Sequence, residues 1–491
     1  MKSLINETLL KIKPNEPGWN QSRNRIPEHV KSVHLIGACG TGMGALACLL
    51  KDMGYAVTGS DQKVYPPMSD FLSSRKIVVA DGFSEKNLSH SPDVVVVGNT
   101  VRRQNPEALE IDRQGLFFCS MPQAVNHFVA TGKKPIVVAG THGKTTTSAM
   151  MAWVLYRADL DPSFMIGGVL KYFDSNCRLG SGEHIVIEGD EYDTAFFDKG
   201  PKFLHYAPDV AIVTSVEFDH ADIFADMDHV VSAFDAFISK IPGAGVLFAF
   251  DENEPIDRLV ENRDCAVLRY GMKERSDWRV GEISAGGGQS LFSVFKQGRR
   301  FDRYAVGFVG RHNIFNALSV IAAADKIKIP KAIIKQALET FQGVKRRQEI
   351  RGVKRGVMVM DDFAHHPTAV KETIGGVKSF YPDRRLVAVF EPRTNSSRRN
   401  VFQKVYPLSF DDADMVCVRR PPLIETVPLD QRFSSSRLVS DLKQRGKEAF
   451  YFPDTEKIID FISETARPGD IVLVMSNGGF DRIHERLLKR L

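Results

Sequence analysis

The chain has 491 residues, and its 65 Lys and Arg against 60 Asp and Glu give a net charge of only +5. This balance argues against nucleic acid as a partner, the length predicts roughly three domains, and the 43% of hydrophobic residues suffice for buried cores. Six scattered cysteines without a Cys-x-x-Cys pair argue against a disulfide framework or a zinc site. Residues 1–30 are polar, and no stretch approaches the ~18 apolar residues of a membrane span. We therefore expect a cytoplasmic protein that does not enter a membrane.

The first predicted strand–turn–helix unit joins the strand Val33–Ile36 to a glycine-rich turn. Strands Ala56–Thr58 and Val94–Val97 follow, so the pattern predicts a parallel sheet with a ligand at the carboxyl ends of its strands. Gly40, Gly42 and Ala45 fit the G-x-G-x-x-A fingerprint, and Asp61 lies near the spacing of a ribose-binding acid. The fingerprint favours a bound pyrophosphate, but a turn that only allows close helix–strand packing is the alternative.

The second unit carries the most specific motif, Gly140–Thr147, directly after the apolar run 135–139. A glycine loop between a strand and a helix can cradle phosphates with its backbone N–H groups. Lys144 can reach the terminal phosphates, and the hydroxyl of Thr145 or Thr146 can hold Mg²⁺. Val138 stands where the usual eight-residue pattern has glycine, so we expect a shortened loop; the alternative is a glycine-rich turn with a chance Lys-Thr pair.

Two further strands of this unit end in groups that can bind a metal. Glu188 follows 185–187, and His220 follows 210–213 after a short acidic segment. Parallel strands bring these ends to the edge that holds the phosphate loop, and oxygen ligands suit Mg²⁺. Glu188 could instead make local hydrogen bonds, and His220 could be structural.

Downstream, a helix predicted to begin near Gly310 carries Asn313 and Asn316 one turn apart. These amides could bind the edge of a base, or serve as a helix cap and a surface residue.

In the third unit, polar clusters follow three predicted strands, at 361–367, 391–395 and 476–479. Three such clusters at one sheet edge indicate a site.

Three motifs of the chain resemble, in order and spacing, those of the UDP-N-acetylmuramate–amino acid ligases (Mur ligases) of bacterial cell-wall synthesis. They are the phosphate loop, Gly310-x-His312-Asn313-x-x-Asn316 and Asp361-Asp362-x-x-His365-His366-Pro367. The resemblance runs from about Val33 to the C-terminus and implies three α/β domains, each with a mostly parallel sheet. They are a Rossmann-like UDP-sugar-binding domain at 1–133, a P-loop ATPase-like domain at 134–347 and a Rossmann-like peptide-binding domain at 348–491. Residues 1–30 have no counterpart, and Gly189 stands where the family has alanine.

Within this family, four segments resemble the branch that joins the tripeptide L-alanyl-γ-D-glutamyl-meso-diaminopimelate to UDP-N-acetylmuramate during murein recycling. They are 64–69, 190–199, 391–393 and 476–480. The branch that adds a single L-alanine to the same nucleotide shares most other motifs and stays the alternative.

The resemblance implies an ATP- and Mg²⁺-dependent ligase that converts a carboxylate into an acyl phosphate for attack by an amine. Its catalytic residues would be Lys144, Glu188 and His220, and its metal ligands would be Thr145, Glu188 and His220. Further ATP contacts would come from Gly140, Thr141, His142, Gly143, Thr146, Asn313, Asn316, Arg347 and Asp362. The UDP-sugar would lie at Gly37, Gly40, Thr41, Gly42, Met43, Asp61, Asn99 and Thr100, and the peptide at His366, Arg393 and Asn395.

Two other classes explain less of the chain. A nicotinamide dehydrogenase would use 40–61 but leave the phosphate loop, Glu188 and His220 without a role. A non-catalytic nucleotide-binding protein would not need the clusters on the acceptor side. The sequence leaves the oligomeric state open.

Overall fold

A computed structural model describes residues 20–64, 68–219, 223–286 and 289–491, which fall into two compact units. The first unit contains the described chain up to Val216, with Asp228–Tyr270 and Ser319–Ile334. The second contains Glu217–Met227, Gly271–Leu318 and Lys335–Leu491. Of the motif residues, 65–67 and His220 lie outside the described residues.

The first unit begins with a parallel sheet in the order β3-β2-β1-β4-β5. Its strands are β1 (Ser32–Ile36), β2 (Ala56–Asp61), β3 (Val78–Asp81), β4 (Val94–Val97) and β5 (Phe118–Ser120). Its helices are α1 (Thr41–Asp52), α2 (Met68–Ser74), α3 (Pro106–Gln114) and α4 (Met121–Ala124), which continues into a π-helix over Val125–Ala130. The strand order reverses between β1 and β4, and this is where doubly wound sheets bind ligands.

A second sheet of the same unit runs in the order β14-β13-β12-β6-β9-β7-β8, with only β8 antiparallel to its neighbour. Its strands are β6 (Lys134–Ala139), β7 (Ser163–Leu170), β8 (Ser175–Arg178), β9 (His184–Gly189), β12 (Val210–Val213), β13 (Val246–Phe250) and β14 (Ala266–Gly271). Strands β10 (Asp193–Ala195) and β11 (Asp198–Pro201) form a separate hairpin. The helices are α5 (Lys144–Arg157), α6 (Met227–Ile238) and α7 (Glu254–Leu259).

The second unit combines an antiparallel meander with a mostly parallel sheet. The meander is β15 (Trp278–Gly286), β16 (Gln289–Lys296) and β17 (Arg299–Val306). It is followed by α8 (Arg311–Lys326) and α9 (Lys331–Thr340), whose residues Ser319–Ile334 are assigned to the first unit. The sheet has the order β18-β19-β23-β20-β21-β22, in which only β18 is antiparallel. Its elements are β18 (Glu349–Lys354), β19 (Val357–Asp362), α10 (Pro367–Phe380), β20 (Leu386–Phe390), β21 (Met415–Arg419), α11 (Ser435–Gln444), β22 (Glu448–Phe452), α12 (Thr455–Thr465), β23 (Ile471–Met475) and α13 (Ile483–Arg490).

The core of this sheet explains its uninterrupted apolar strands. Met358 and Met360 pack into the hydrophobic cluster on one face, whereas Val357 and Val359 pack into the cluster on the other. Side chains alternate between the faces of a strand, so a strand covered on both faces must be apolar throughout.

These sheets confirm the expected α/β class with three mostly parallel sheets. The meander β15–β17 was not predicted. Strands β2, β9 and β19 extend further than their apolar runs, because Asp61, Glu188 and Asp362 still pair through the backbone. Among the helices of the described residues, none has the length and apolar character that crossing a membrane requires.

A buried polar network stabilises the first sheet around Glu107 at the start of α3, whose side chain is fully buried. Its carboxylate accepts hydrogen bonds from Ser60 Oγ at 2.6 Å and Asn87 Nδ2 at 2.7 Å, and lies 3.2 Å from His34 Nε2. Burial raises the pKa of Glu107, but the hydrogen bonds from His34, Ser60 and Asn87 outweigh burial and leave the pKa below its usual value.

Replacing Glu107 with alanine should destabilise the first unit by about 3 kcal/mol, because its buried donors lose their acceptor. A carboxylate with a lowered folded-state pKa contributes stability above its unfolded pKa and loses it as the pH falls through the folded pKa. The difference between wild type and variant in thermal unfolding should therefore be full at pH 7 and shrink in acid. The exposed Glu85→Ala is the control, and a difference that does not change with pH would contradict the assignment.

Candidate functional site

The phosphate loop joins β6 to α5 and has a backbone that only glycine adopts readily. Val138 is paired and buried within β6, so the loop starts at Gly140 and has the expected shortened form. Gly140 has a φ of +138° and Gly143 a φ of +80°. A Cβ on Gly140 would lie 2.2 Å from Thr214 Oγ1 and 2.9 Å from the Ser215 nitrogen. Side chains at these positions would disrupt the loop.

Ser215, which follows β12, forms hydrogen bonds with the backbone of the phosphate loop. The Thr141 nitrogen donates to the Ser215 carbonyl oxygen at 2.9 Å, and the His142 nitrogen donates to Ser215 Oγ at 2.9 Å. Thr146 is buried in the first turn of α5. The loop geometry is therefore built into the chain before any ligand binds.

Lys144, the first residue of α5, points back into the loop. Its Nζ donates to the Gly140 carbonyl oxygen at 2.5 Å and lies 2.9 and 2.7 Å from the two carboxylate oxygens of Glu191. Burial lowers the pKa of Lys144, but Glu191 and Asp190 outweigh it and raise the pKa above its usual value. Sequence analysis missed Glu191, although the acidic run 188–191 and the need of a buried lysine for a counter-ion were signals for it.

Two side chains with oxygen atoms that can bind a metal, Thr145 and Glu188, lie next to each other, as expected for a Mg²⁺ site. Thr145 Oγ1 donates to Glu188 Oε1 at 2.8 Å, and the Gly167 nitrogen donates to Glu188 Oε2 at 2.6 Å. Burial raises the pKa of Glu188, and Lys144 opposes this shift. A hydroxyl and a carboxylate at a helix N-terminus fit the oxygen preference of Mg²⁺, whereas the predicted third ligand, His220, lies outside the described residues.

The residues predicted to bind the UDP-sugar gather at the carboxyl ends of β1, β2 and β4. The nitrogens of Gly37 and Ala38 donate to the Ser60 carbonyl oxygen, and the Cys39 nitrogen donates to Asp61 Oδ2 at 2.8 Å. Asp61 therefore shapes the turn itself. Around it, Gly40 caps α1, Thr41, Gly42 and Met43 form its first turn, and Asn99 and Thr100 are exposed after β4.

Gly42 also has a packing role. A Cβ there would lie 3.1 Å from Met121 Sδ, so the glycine permits close approach of α4. This contact joins two helices, whereas the packing alternative concerned a helix and a strand, and the UDP-sugar role of Gly42 stays a prediction.

In the second unit, the predicted adenine and ribose residues lie in one hydrogen-bonded cluster. Asn313 Nδ2 donates to the Val309 carbonyl oxygen at 2.8 Å, and Asn316 Nδ2 donates to Asn313 Oδ1 at 3.3 Å. Both asparagines are buried, and Asn313 lies inside the helix, so the alternative of a cap and a surface residue was wrong. Gln348 connects this pair to Asp362: its Oε1 accepts from the Val309 nitrogen at 3.1 Å and its backbone nitrogen donates to Asp362 Oδ2 at 2.8 Å.

Arg347 completes this cluster beside Phe363. The Arg347 guanidinium lies 4.8 Å from the centre of the Phe363 ring. Burial raises the pKa of Asp362, and Arg347 opposes that shift. Sequence analysis missed Gln348, which carried no motif signal.

Both ring nitrogens of His366 contact backbone atoms of the protein. It caps α10: its Nδ1 accepts from the Thr368 nitrogen at 3.3 Å, and its Nε2 lies 3.3 Å from the Phe218 carbonyl oxygen. One neutral tautomer satisfies both contacts. This geometry favours a role in holding the 217–219 segment over direct contact with a peptide.

Arg393, which follows β20 and is predicted to bind the peptide, is exposed. Its Nη1 lies 3.7 Å from Glu391 Oε2, and Glu391 is fully buried against Arg419 Nη1 at 2.7 Å. A Cβ on Gly478 would lie 2.3 Å from Arg393 Cδ, so a side chain at this position would displace the Arg393 side chain. Asn395 is exposed nearby in sequence, and its Oδ1 accepts from Arg398 Nη2 at 2.7 Å.

The sequence and the structure were compared with known protein families, proteins and solved structures. Residues 32–133 match the model of the Mur ligase family, catalytic domain, residues 138–324 match the Mur ligase middle domain, and residues 346–478 match the Mur ligase, glutamate ligase domain. The chain is 36% identical to the UDP-N-acetylmuramate–L-alanyl-γ-D-glutamyl-meso-2,6-diaminoheptandioate ligase of Escherichia coli K12, over 94% of this chain and 98% of that protein. It is 33% identical to the UDP-N-acetylmuramate–L-alanine ligase of Desulfatibacillum aliphaticivorans, over 93% and 98%. The crystal structure of a murein peptide ligase from Psychrobacter arcticus 273-4 has a TM-score of 0.70 and 34% identity, over 94% and 98% of the two chains.

Replacing Lys144 with alanine should abolish ATP-dependent phosphate release, because the loop loses the cation predicted to face the terminal phosphates. Binding of the UDP-sugar, measured by calorimetry, should remain because its predicted residues lie on another sheet. The exposed Lys134→Ala is the matched control. Normal turnover by Lys144→Ala would rule out this role of the loop.

Proposed function

Because the chain belongs to the Mur ligase family of ATP-dependent, amide-forming ligases, we propose that it joins UDP-N-acetylmuramate to L-alanyl-γ-D-glutamyl-meso-diaminopimelate in peptidoglycan recycling. The observation that carries this choice is the 36% identity, over nearly the whole chain, to two ligases named for this tripeptide. We expect the reaction in the cytoplasm. The proposed domain boundaries are 133/134 and 347/348.

In the proposed reaction, a lactyl carboxylate oxygen of the sugar attacks the γ-phosphorus of ATP, which gives an acyl phosphate and ADP. The α-amine of the tripeptide's L-alanine then attacks the acyl carbon, loses a proton and displaces phosphate. An anion attacking an anion requires charge neutralisation and alignment rather than an enzyme nucleophile. Lys144 supplies the positive charge. Thr145 and Glu188, with His220, would hold Mg²⁺, which offsets phosphate charge when bound.

The second unit would position adenosine and the acceptor. Asn313, Asn316 and Asp362 lie in the cluster proposed to bind the base and ribose, with Arg347 beside it. Arg393 supports a peptide acceptor because the tripeptide carries three free carboxylates, and a guanidinium binds carboxylates well. We propose that His366 acts indirectly, through the 217–219 segment, and that Asn395 lies at the rim.

The alternative acceptor is L-alanine, and one observation favours keeping it: ligases named for L-alanine are 30–33% identical over the same length. Both acceptors bring an amine to the same acyl phosphate. They differ in the carboxylates that the second unit must bind.

Phosphate release with ATP, Mg²⁺ and UDP-N-acetylmuramate should be at least about 100-fold more efficient with the tripeptide than with L-alanine, because a site built for several carboxylates leaves them unpaired with the smaller acceptor. Gly478→Ala should raise the tripeptide KM much more than the ATP KM, since the new Cβ displaces Arg393. Gly307→Ala, whose Cβ meets nothing within 4 Å and whose backbone does not have a positive φ, controls for glycine replacement. Preference for L-alanine would replace the tripeptide proposal with the alternative.

A further inference from the structure

The ammonium of Lys144 occupies a largely buried site and has several close acceptors among the described residues. The Lys144 and Glu191 side chains are only 12% and 4% exposed. An ammonium has three protons to donate. The Gly140 carbonyl oxygen and the two Glu191 oxygens lie within 2.9 Å of Nζ, and the Thr141 carbonyl oxygen lies at 3.4 Å. A phosphate that binds Lys144 must therefore replace one of these acceptors.

Glu191 is the acceptor that can leave. The Gly140 carbonyl belongs to the loop backbone, which is fixed by its positive φ and its packing against Thr214 and Ser215. Glu191 is a side chain, and exchanging its carboxylate for a phosphate keeps a negative charge beside the ammonium. Either anion satisfies the buried cation, so the Lys144 ammonium keeps an anionic partner throughout the exchange.

The backbone on both sides of Glu191 is held by hydrogen bonds. The Phe203 nitrogen donates to the Asp190 carbonyl oxygen, and the Lys202 nitrogen donates to the Tyr192 carbonyl oxygen, each at 3.2 Å. Lys202 Nζ also pairs with Asp190 Oδ2 at 2.9 Å. These contacts fix both neighbours of Glu191, so we infer that Glu191 releases Lys144 through a change of its rotamer.

We propose that Glu191 is a positioning residue: its carboxylate is an internal counter-ion that holds the Lys144 ammonium inside the phosphate loop until the phosphates of ATP replace it. This rests on the proposed phosphate role of Lys144. Glu191 thus stabilises the empty loop and competes with the nucleotide.

Glu191→Gln removes the competing anion and takes from the ammonium its closest carboxylate, while the Gly140 carbonyl oxygen and Asp190 remain. Its dissociation constant for ATP, measured by calorimetry on the full chain, should fall about tenfold, as expected for the loss of one charge-assisted competitor. The thermal midpoint of the empty protein should fall, and the rise in midpoint on adding ATP should exceed that of wild type. In steady-state assays the ATP KM should fall while the tripeptide KM stays unchanged.

The matched control is Glu183→Gln, which removes an exposed Lys–Glu pair, Lys134 Nζ to Glu183 Oε2 at 2.8 Å, next to the opposite ends of the same two strands. Its ATP affinity should equal that of wild type. Glu191→Asp, which keeps the charge on a shorter side chain, should change ATP affinity in the same direction by a smaller factor; it also tests the proposal if Glu191→Gln does not fold.

Lys144→Ala, measured in parallel, separates the two claims. If Lys144→Ala binds ATP as well as wild type does, the phosphate role of the loop fails. If Lys144→Ala loses affinity but both Glu191 variants bind ATP equally or more weakly than wild type, only the counter-ion proposal is overturned.

Discussion

Parallel pairing of β6 with β9 is the constraint on which the candidate catalytic centre depends. It sets Val138 opposite Glu188 and Ala139 opposite Gly189, so the phosphate loop and the acidic segment must leave the sheet side by side. The same pairing brings Thr145 to Glu188 and Lys144 to Glu191. A one-residue slip would turn Glu188 to the other face of the sheet and separate it from Thr145.

Several charged side chains of the candidate site are buried, and the desolvation free energy that this requires suggests a function for them. Lys144, Glu188, Asp362 and Glu391 are largely shielded from solvent. Such groups contribute little net stability, because desolvation offsets much of the attraction between partners. Fixed charges in a dry site nevertheless need no reorganisation when a charged transition state forms, which is the main electrostatic contribution to catalysis. The arrangement therefore suits a reaction between two anions.

The sequence could predict features that depend on local pattern. Apolar runs such as 210–213 and 386–390 became strands with those bounds, and the glycine spacing located the phosphate loop. Strand polarity then allowed Glu188 to be placed beside it. Glu191 and Gln348 could not be found this way, because their roles come from side-chain contacts with residues 47 and 39 positions away. His366 shows the same limit: a motif located it, but only its contacts with Thr368 and Phe218 reveal what each nitrogen does.

Transfer of the sugar's carboxylate oxygen to phosphate would test the central claim most directly. UDP-N-acetylmuramate labelled with ¹⁸O in its lactyl carboxylate would be incubated with ATP, Mg²⁺ and the tripeptide, and the released phosphate analysed by mass spectrometry. An acyl-phosphate intermediate requires each phosphate to carry one oxygen from that carboxylate. Amide product accompanied by unlabelled phosphate would contradict the account, because ATP would then have been cleaved without activating the carboxylate.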